Sequence, residues 1–502
     1  MLRRTALAAT ALLAAGALLL SGCTGSQPAP SRSEGTPDPD ATVNVRLVLE
    51  PGNLDIRETG GSALDQILID NVYQGLIART PDQKIVPALA SDYEVSGDKL
   101  TYTFTLREGV TFHDGQPLTP QDVVWSLTQE RDTPTYRDSA RLANVATIAA
   151  EGQKITLTLK APDSTLLWSL TGRAGLILKE GDKVDRKTAA NGTGPFRLAD
   201  WREGDSIVFE RFADYWGTPS SAAEVVFSYV SDNQAALSGA LAGEFDVLTG
   251  FDANLKDQVE ANGDFTLEIG DSTDKGTLAF NQTSGPLADV RVRKAIRQAI
   301  DKKSIVEALG AGKTMYGPIP SLDPGYEDLS EVAPFDPEAA RKLLAEAGAE
   351  NLSLTLTIPS AYGTTIPQIL VSNLRDVGIT LKVNPVEFPT WLNDVYGNKD
   401  YELSFVLHTE ARDFENWANP DYYFTYNNPE VQKLYAEAVA ATDDAAAADL
   451  LKQAARIVSE DDAADWLYNG QSVLAVASDV SGMPTVNVNE RLNVAELAKS
   501  EG

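Results

Sequence analysis

The sequence predicts a multi-domain α/β protein held outside the membrane by its N-terminus. Three observations carry this prediction. The chain has 502 residues, room for roughly three domains at ~150 residues each. Strand-like and helix-like segments alternate through its second half. The first 23 residues have the form of an export leader rather than of a folded segment. Hydrophobic residues make up 43% and charged residues 23%, a globular balance with ample chain for a large core.

The leader comes first. Arg3 and Arg4 form a positive start, and residues 5–20 (TALAATALLAAGALLL) are apolar. Sixteen residues are short for a membrane span, which needs ~20, and read instead as a secretory signal over 1–22. Leu20-Ser21-Gly22-Cys23 resembles the lipobox of bacterial lipoproteins, and Cys23 is the chain's single cysteine. Acylation of Cys23 would anchor the protein on a membrane face without spanning it. Residues 23–41 are rich in Ser, Pro and Gly with almost no large apolar side chains, the composition of a flexible tether.

The body then begins. Dense β-branched residues predict a strand over 43–50 (VNVRLVLE), and polar–apolar alternation predicts another over 101–106 (TYTFTL). Asp114-Gly115 supplies a tight turn. Thr119 as N-cap and Pro120 at the first helical position start a helix. Val292, Ala295, Ile296, Ala299 and Ile300 fall at helical spacing and predict one helix over 289–309. Asp336, Pro337 and Glu338 open a further helix that Gly348 closes. A strand over 352–358, a helix over 366–377 and a strand over 379–383 complete the alternation.

Composition excludes several functions. Lys+Arg total 42 and Asp+Glu 72, a formal charge of −30, or −32 once the leader's two arginines are removed. That balance argues against nucleic acid, whose phosphates need clustered Lys/Arg. One cysteine rules out an intrachain disulfide and a thiolate metal cluster. The two histidines, His113 and His408, are distant in sequence and are read as hydrogen-bonded structural residues. Leu309-Gly-Ala-Gly-Lys-Thr314 is not a phosphate loop, because Glu307 stands where that loop needs Gly. Neither a metalloprotease nor a serine-hydrolase motif occurs, so no catalytic residue, metal site or cofactor is expected. With 72 carboxylates a secreted carboxylate-pair hydrolase stays open as a lesser alternative, as does an adhesin or signalling receptor.

Several separated stretches resemble the family 5 extracellular solute-binding proteins, receptors for ATP-driven importers of peptides, nickel chelates and some oligosaccharides. The main one is 100–124 (LTYTFTLREGVTFHDGQPLTPQDVV). Asn53-Leu54-Asp55, Tyr73-Gln-Gly-Leu76, residues 86–90 (VPALA), 193–198 (TGPFRL) with Trp201, Asp214-Tyr-Trp-Gly217, Phe280-Asn281, residues 289–301 and Asn419-Pro-Asp421 support it. The resemblance implies an α/β fold of two periplasmic-binding-protein-like lobes, with an extra domain inserted in the first. Lobe I would comprise 42–70, 190–280 and 472–497, the inserted domain 71–189, and lobe II 281–471. It further implies a monomer that is not an enzyme, serving an ABC permease and its ATPase subunits from the outer face of the cell membrane.

In peptide-binding relatives an extended ligand lies between the lobes as an added strand, and an acidic residue of the second lobe receives its ammonium. Two regions match by position: Glu50, Gly52 and Asn53 after the first strand, and the loop from Leu407 to Trp417, with Glu410, Arg412, Asp413 and Asn416. Spacing from Trp391 puts Asp413 at the ammonium position, whereas counting back from Asn419-Pro-Asp421 puts Asn416 there. Trp391 and Trp417 are candidates to stack on ligand side chains, and Phe280 and Asn281 to edge the cleft. The favoured ligand is a short peptide; an oligosaccharide or metal chelate is the alternative.

Overall fold

The computed structural model describes residues 35–283, 285–488 and 491–501. The leader, Cys23 and the first part of the expected tether lie outside the described residues. The last tether residues are held against the C-terminus: Asp38 N–H donates to Lys499 O at 2.8 Å, and Arg211 Nη1 to Pro39 O at 3.0 Å.

One mixed sheet of eleven strands runs through most of the chain. Its order is Thr380–Val386, Ser353–Pro359, Leu403–His408, Phe265–Phe280, Ala464–Ala477, Val247–Leu248, Thr42–Leu47, Glu224–Tyr229, Ser206–Arg211 and Phe196–Arg202, with Lys313–Thr314 added against Ala464–Ala477. The two long central strands are antiparallel, and their register slips between Asp271 and Lys275 and again between Gly276 and Thr277. Phe265 and residues 473–477 at one end pack in one core with Val43, Val45, Phe209, Phe227 and Val247. Leu278, Phe280 and Leu467 at the other pack with Leu354, Leu356, Leu370, Leu374 and Phe405. The irregular stretch 271–276 therefore falls where the ribbon passes from one core to the other. Slips of this kind break the ladder and bend the strand.

A third core belongs to a separate four-stranded sheet, Ala90–Val95, Thr101–Leu106, Lys154–Leu159 and Val145–Glu151, covered by the helix Pro120–Asp132. Tyr102, Phe104, Leu106, Ile155 and Leu157 alternate inward against Val123 and Leu127. His113 ties this sheet to the first core. Its Nδ1 accepts from Gly192 N–H at 3.2 Å, so Nε2 carries the proton and donates to Gly194 O at 3.1 Å. Burial lowers its pKa to about 4, which keeps the ring neutral. Gly192 allows this closeness: a Cβ there would sit 1.9 Å from Val72 O.

Most predicted elements form where local signals put them. Thr119 caps Pro120–Asp132 in a full capping box, and Gly348, at φ +68°, ends Pro337–Ala347. The helix expected over 289–309 is instead two helices, Val290–Ala299 and Lys302–Leu309. Ile300 turns extended, and the Asp301 carboxylate accepts from Lys303 N–H as a fresh N-cap. Asp competes with the helical backbone in this way, so an apolar stripe that continues in phase need not be one helix. No described helix is long and apolar enough to cross a membrane.

Candidate functional site

A cavity of about 700 Å³ opens between the four-stranded sheet and a fourth, aromatic core that contains Ile319, Phe414, Trp417 and Trp466. That size suits a small-molecule or short-peptide ligand. Tyr93, Tyr102 and Trp168 line it on one side. Asp323, Arg412, Asp413, Phe414 and Tyr435 line it on the other. Ser164 crosses the gap beside it, its N–H donating to Val439 O at 2.8 Å and its hydroxyl to Ala438 O at 2.9 Å; Lys99 pairs with Asp444 at 2.6 Å. A smaller cavity of about 250 Å³ lies against the first core, where Val473, Leu474 and Leu492 line it together with Leu49, Asp274, Leu407 and Gln471. The segment from Leu407 to Phe414 contributes to both cavities, Leu407 to the smaller and Arg412, Asp413 and Phe414 to the larger.

The loop after Leu403–His408 is fixed by charge. Lys275 comes off the irregular part of the ribbon with its side chain only 3% exposed. Its ammonium lies 3.3 Å from Asp413 and donates to Glu410 O at 2.6 Å and to Thr273 O at 3.2 Å. Asp323 accepts from Arg412 N–H at 2.6 Å. Burial raises the Asp323 pKa to about 6 against the pull of Lys275 and of that N–H. His408, buried, places Nε2 2.9 Å from the Tyr423 hydroxyl, and burial lowers its pKa. His408, Glu410 and Asp413 bring three possible ligand atoms within 4.8 Å of one another. The Lys275 ammonium already supplies the positive charge there, so a metal ion would have to displace a cation tethered in the fold.

The other candidate residues divide by position. Arg412 and Asp413 face the large cavity. Glu410 is exposed beside them, and Asn416 is half-buried with its N–H on Asp413 O. Glu50 turns to Gly204 N–H at 2.8 Å. Gly52 is exposed, and Asn53 accepts from Asp55 N–H at 2.9 Å and Thr59 hydroxyl at 2.6 Å. Phe280 is fully buried in the second core. Asn281 donates to Lys399 O and Tyr401 O, holding a loop. Trp391 donates to Ser404 Oγ at 2.9 Å, and Trp417 stacks on Phe424 at 4.0 Å in an aromatic core with Trp466. These last four side chains pack inside the protein rather than against either cavity. Lys275, Asp323, Trp168 and Tyr435 were not singled out from sequence. Lys275 carried a weak signal, a lone cation just ahead of the apolar run Leu278-Ala279-Phe280; the other three carried none.

Comparison with known proteins places this geometry. The sequence profile of the bacterial extracellular solute-binding proteins, family 5 (middle region), matches residues 84–430. The chain is 28% identical to haem-binding protein A of Haemophilus influenzae, over 93% of this chain and 94% of that protein. Its fold is similar to the ABC transporter substrate-binding protein CtaP of Listeria monocytogenes (TM-score 0.83, 20% identity, 92% of this chain and 100% of the other). It is also similar to the periplasmic binding protein DppA of Helicobacter pylori solved with the peptide STSA (TM-score 0.79, 21% identity, 92% and 98%). The chain belongs to the family 5 extracellular solute-binding proteins. It is a two-lobed substrate-binding protein of an ABC importer, a transport receptor and not an enzyme, and this displaces the hydrolase alternative.

Proposed function

We propose that the protein is a lipid-anchored receptor that captures short peptides in the 700 Å³ cavity and hands them unchanged to a membrane permease. The observation that carries this reading is the cavity itself: its walls come from two separately packed bodies, so a guest touches both only when they are together. A ligand that contacts both sides shifts the population toward the shut form. The irregular stretch 271–276 of the ribbon is the proposed hinge. The proposed division into lobe I, inserted domain and lobe II is supported by the way the cores segregate along the chain. Within the site we assign ligand contact to Arg412 and Asp413. The Leu-Ser-Gly-Cys23 motif supports the lipid anchor, and monomeric action follows the family pattern.

One observation favours a second reading, a non-peptide solute. A ligand ammonium at Asp413 would meet a carboxylate already matched by Lys275. Calorimetry against a mixed pool of di- to pentapeptides tests the first reading; micromolar binding corresponds to about −8 kcal/mol. Absence of heat, together with a non-peptide in the mass spectrum of co-purified material, would decide for the second.

A further inference from the structure

Trp168 stands between two arginines. The Arg412 guanidinium carbon lies 3.8 Å from the centroid of its ring and that of Arg79 4.0 Å. Two planar guanidinium groups cannot share one face at that distance, so each covers its own. Arg412 looks into the 700 Å³ cavity, and Arg79 into a neighbouring one of about 360 Å³. The Nε atoms of both are buried and have no hydrogen-bond partner. Arg79 makes one long contact, Nη1 to Gln83 Oε1 at 3.4 Å. Among the described residues, neither guanidinium has a carboxylate within ion-pair distance. The acids nearby are engaged elsewhere: Asp70 by Arg491 at 2.9 Å, Asp413 by Lys275, Asp444 by Lys99, and Asp323 by the Arg412 backbone N–H, while Glu410 faces solvent.

This is an unusual arrangement for this chain. Acids exceed bases by 30, so carboxylates were plentiful, yet the buried Arg79 and the half-buried Arg412 lack one. An uncompensated buried charge costs several kcal/mol, and stacking on an aromatic ring returns about 0.5–2 kcal/mol. Arg412 is further held at φ +54°, a left-handed conformation that costs a non-glycine residue of order 1 kcal/mol or more. Asp323 pins it there through the backbone N–H. Burial lowers the pKa of both arginines, and repulsion from Arg491 and then from Arg412 adds to the effect on Arg79. Arginine's planar fork matches a carboxylate in two parallel hydrogen bonds, and such charge-assisted pairs are about twice as strong as neutral ones.

We infer that the receptor recognises its ligand by a carboxylate seated on Arg412, with Trp168 and Arg79 orienting and reinforcing that guanidinium, and does not require a free amine. The ligand class is therefore a small organic acid with an apolar or aromatic body, for which Tyr93, Tyr102, Phe414 and Tyr435 supply the walls. The inference rests on the 700 Å³ cavity being the ligand site, but not on the ligand being a peptide.

The test is titration calorimetry of the purified protein with two matched sets. One is the tripeptide Ala-Phe-Leu as free acid, as C-terminal amide and as N-acetylated acid. The other is 3-phenylpropionate and its amide. The acids should bind at least tenfold more tightly than the amides, and N-acetylation should change affinity less than threefold. Arg412→Gln should abolish the acid-to-amide ratio, and Arg412→Lys, which keeps the charge, should restore part of it and guards against misfolding of the first variant. Discrimination within the phenylpropionate pair but no peptide binding would end the peptide reading and uphold this one. A peptide amide that binds as well as its acid would uphold the peptide reading and overturn this one; no heat from any of the acids would overturn this one and count against the peptide reading too.

Discussion

Replacing Lys275 with Met tests how the site is held. The ammonium and the Asp413 carboxylate are 3.3 Å apart, and their side chains are 3% and 9% exposed. At an effective dielectric of ~20, that separation is worth about 5 kcal/mol of attraction. Stripping one partner from a buried pair costs about 3–5 kcal/mol, because the remaining charge is left without compensation. The two figures agree, so Lys275→Met should destabilise the protein by about 3–5 kcal/mol. The Met stem fills most of the Lys volume, so little of the loss comes from a void. Asp413→Asn in the same background should recover most of it. Urea unfolding followed by tryptophan fluorescence is the assay, since Trp391, Trp417 and Trp466 report on this body. The coupling between the two substitutions should be at least 1.5 kcal/mol, within the range measured for residues in contact. Additive effects would refute the argument that Lys275 neutralises Asp413. The single variant carries a functional signature as well: with Asp413 released, a free-amine ligand should gain affinity over its N-acetylated form.

Three further outcomes follow from the geometry. Burial raises the Asp323 pKa from 3.8 to about 6, so the folded state holds the proton more tightly than the unfolded one. Stability from this group is fully present below pH ~4 and is lost as pH rises through 6, about 3 kcal/mol in all. Relative to wild type, Asp323→Asn should therefore gain that amount between pH 4 and 7; a constant difference would refute the assignment. Trp417→Ala, in the aromatic core, should cost about 3–5 kcal/mol in chemical unfolding; intact stability with lost ligand affinity would instead place the ring in the ligand's path. Gly192→Ala pushes a methyl to 1.9 Å from Val72 O, a backbone contact that cannot yield. Its melting temperature should fall by several degrees, and a wild-type melting curve would show that the close approach is not required.

Part of the candidate site could be read in the chain, because it depends on local order. The loop from Leu407 to Trp417 was named from sequence as a candidate ligand-side region, and its Arg412 and Asp413 line the 700 Å³ cavity. The aromatic and cleft-edge candidates Phe280, Trp391 and Trp417 show the limit of the same reasoning. A large ring near a cleft and a large ring in a core look alike in sequence, and all three are at most 3% exposed. Lys275 and Asp323 were missed because each acquires its role only through a partner more than 80 residues away.

What the sequence by itself determined is whatever is set within a few residues: the capped helix starts at Thr119 and Asp336, the alternating strands and the family signature. The split at Ile300 already lies at the edge of that range, since it turns on how Asp301 competes for backbone N–H groups. Only the tertiary structure decided the chemistry of the site. Charge pairing and desolvation depend on distance in space and on which groups lose water together. The ribbon brings Lys275 to Asp413, and the strand Ile77–Arg79 and the short helix Leu166–Leu170 bring Arg79 and Trp168 to Arg412. Residues so far apart along the chain have no local pattern that could record such a meeting.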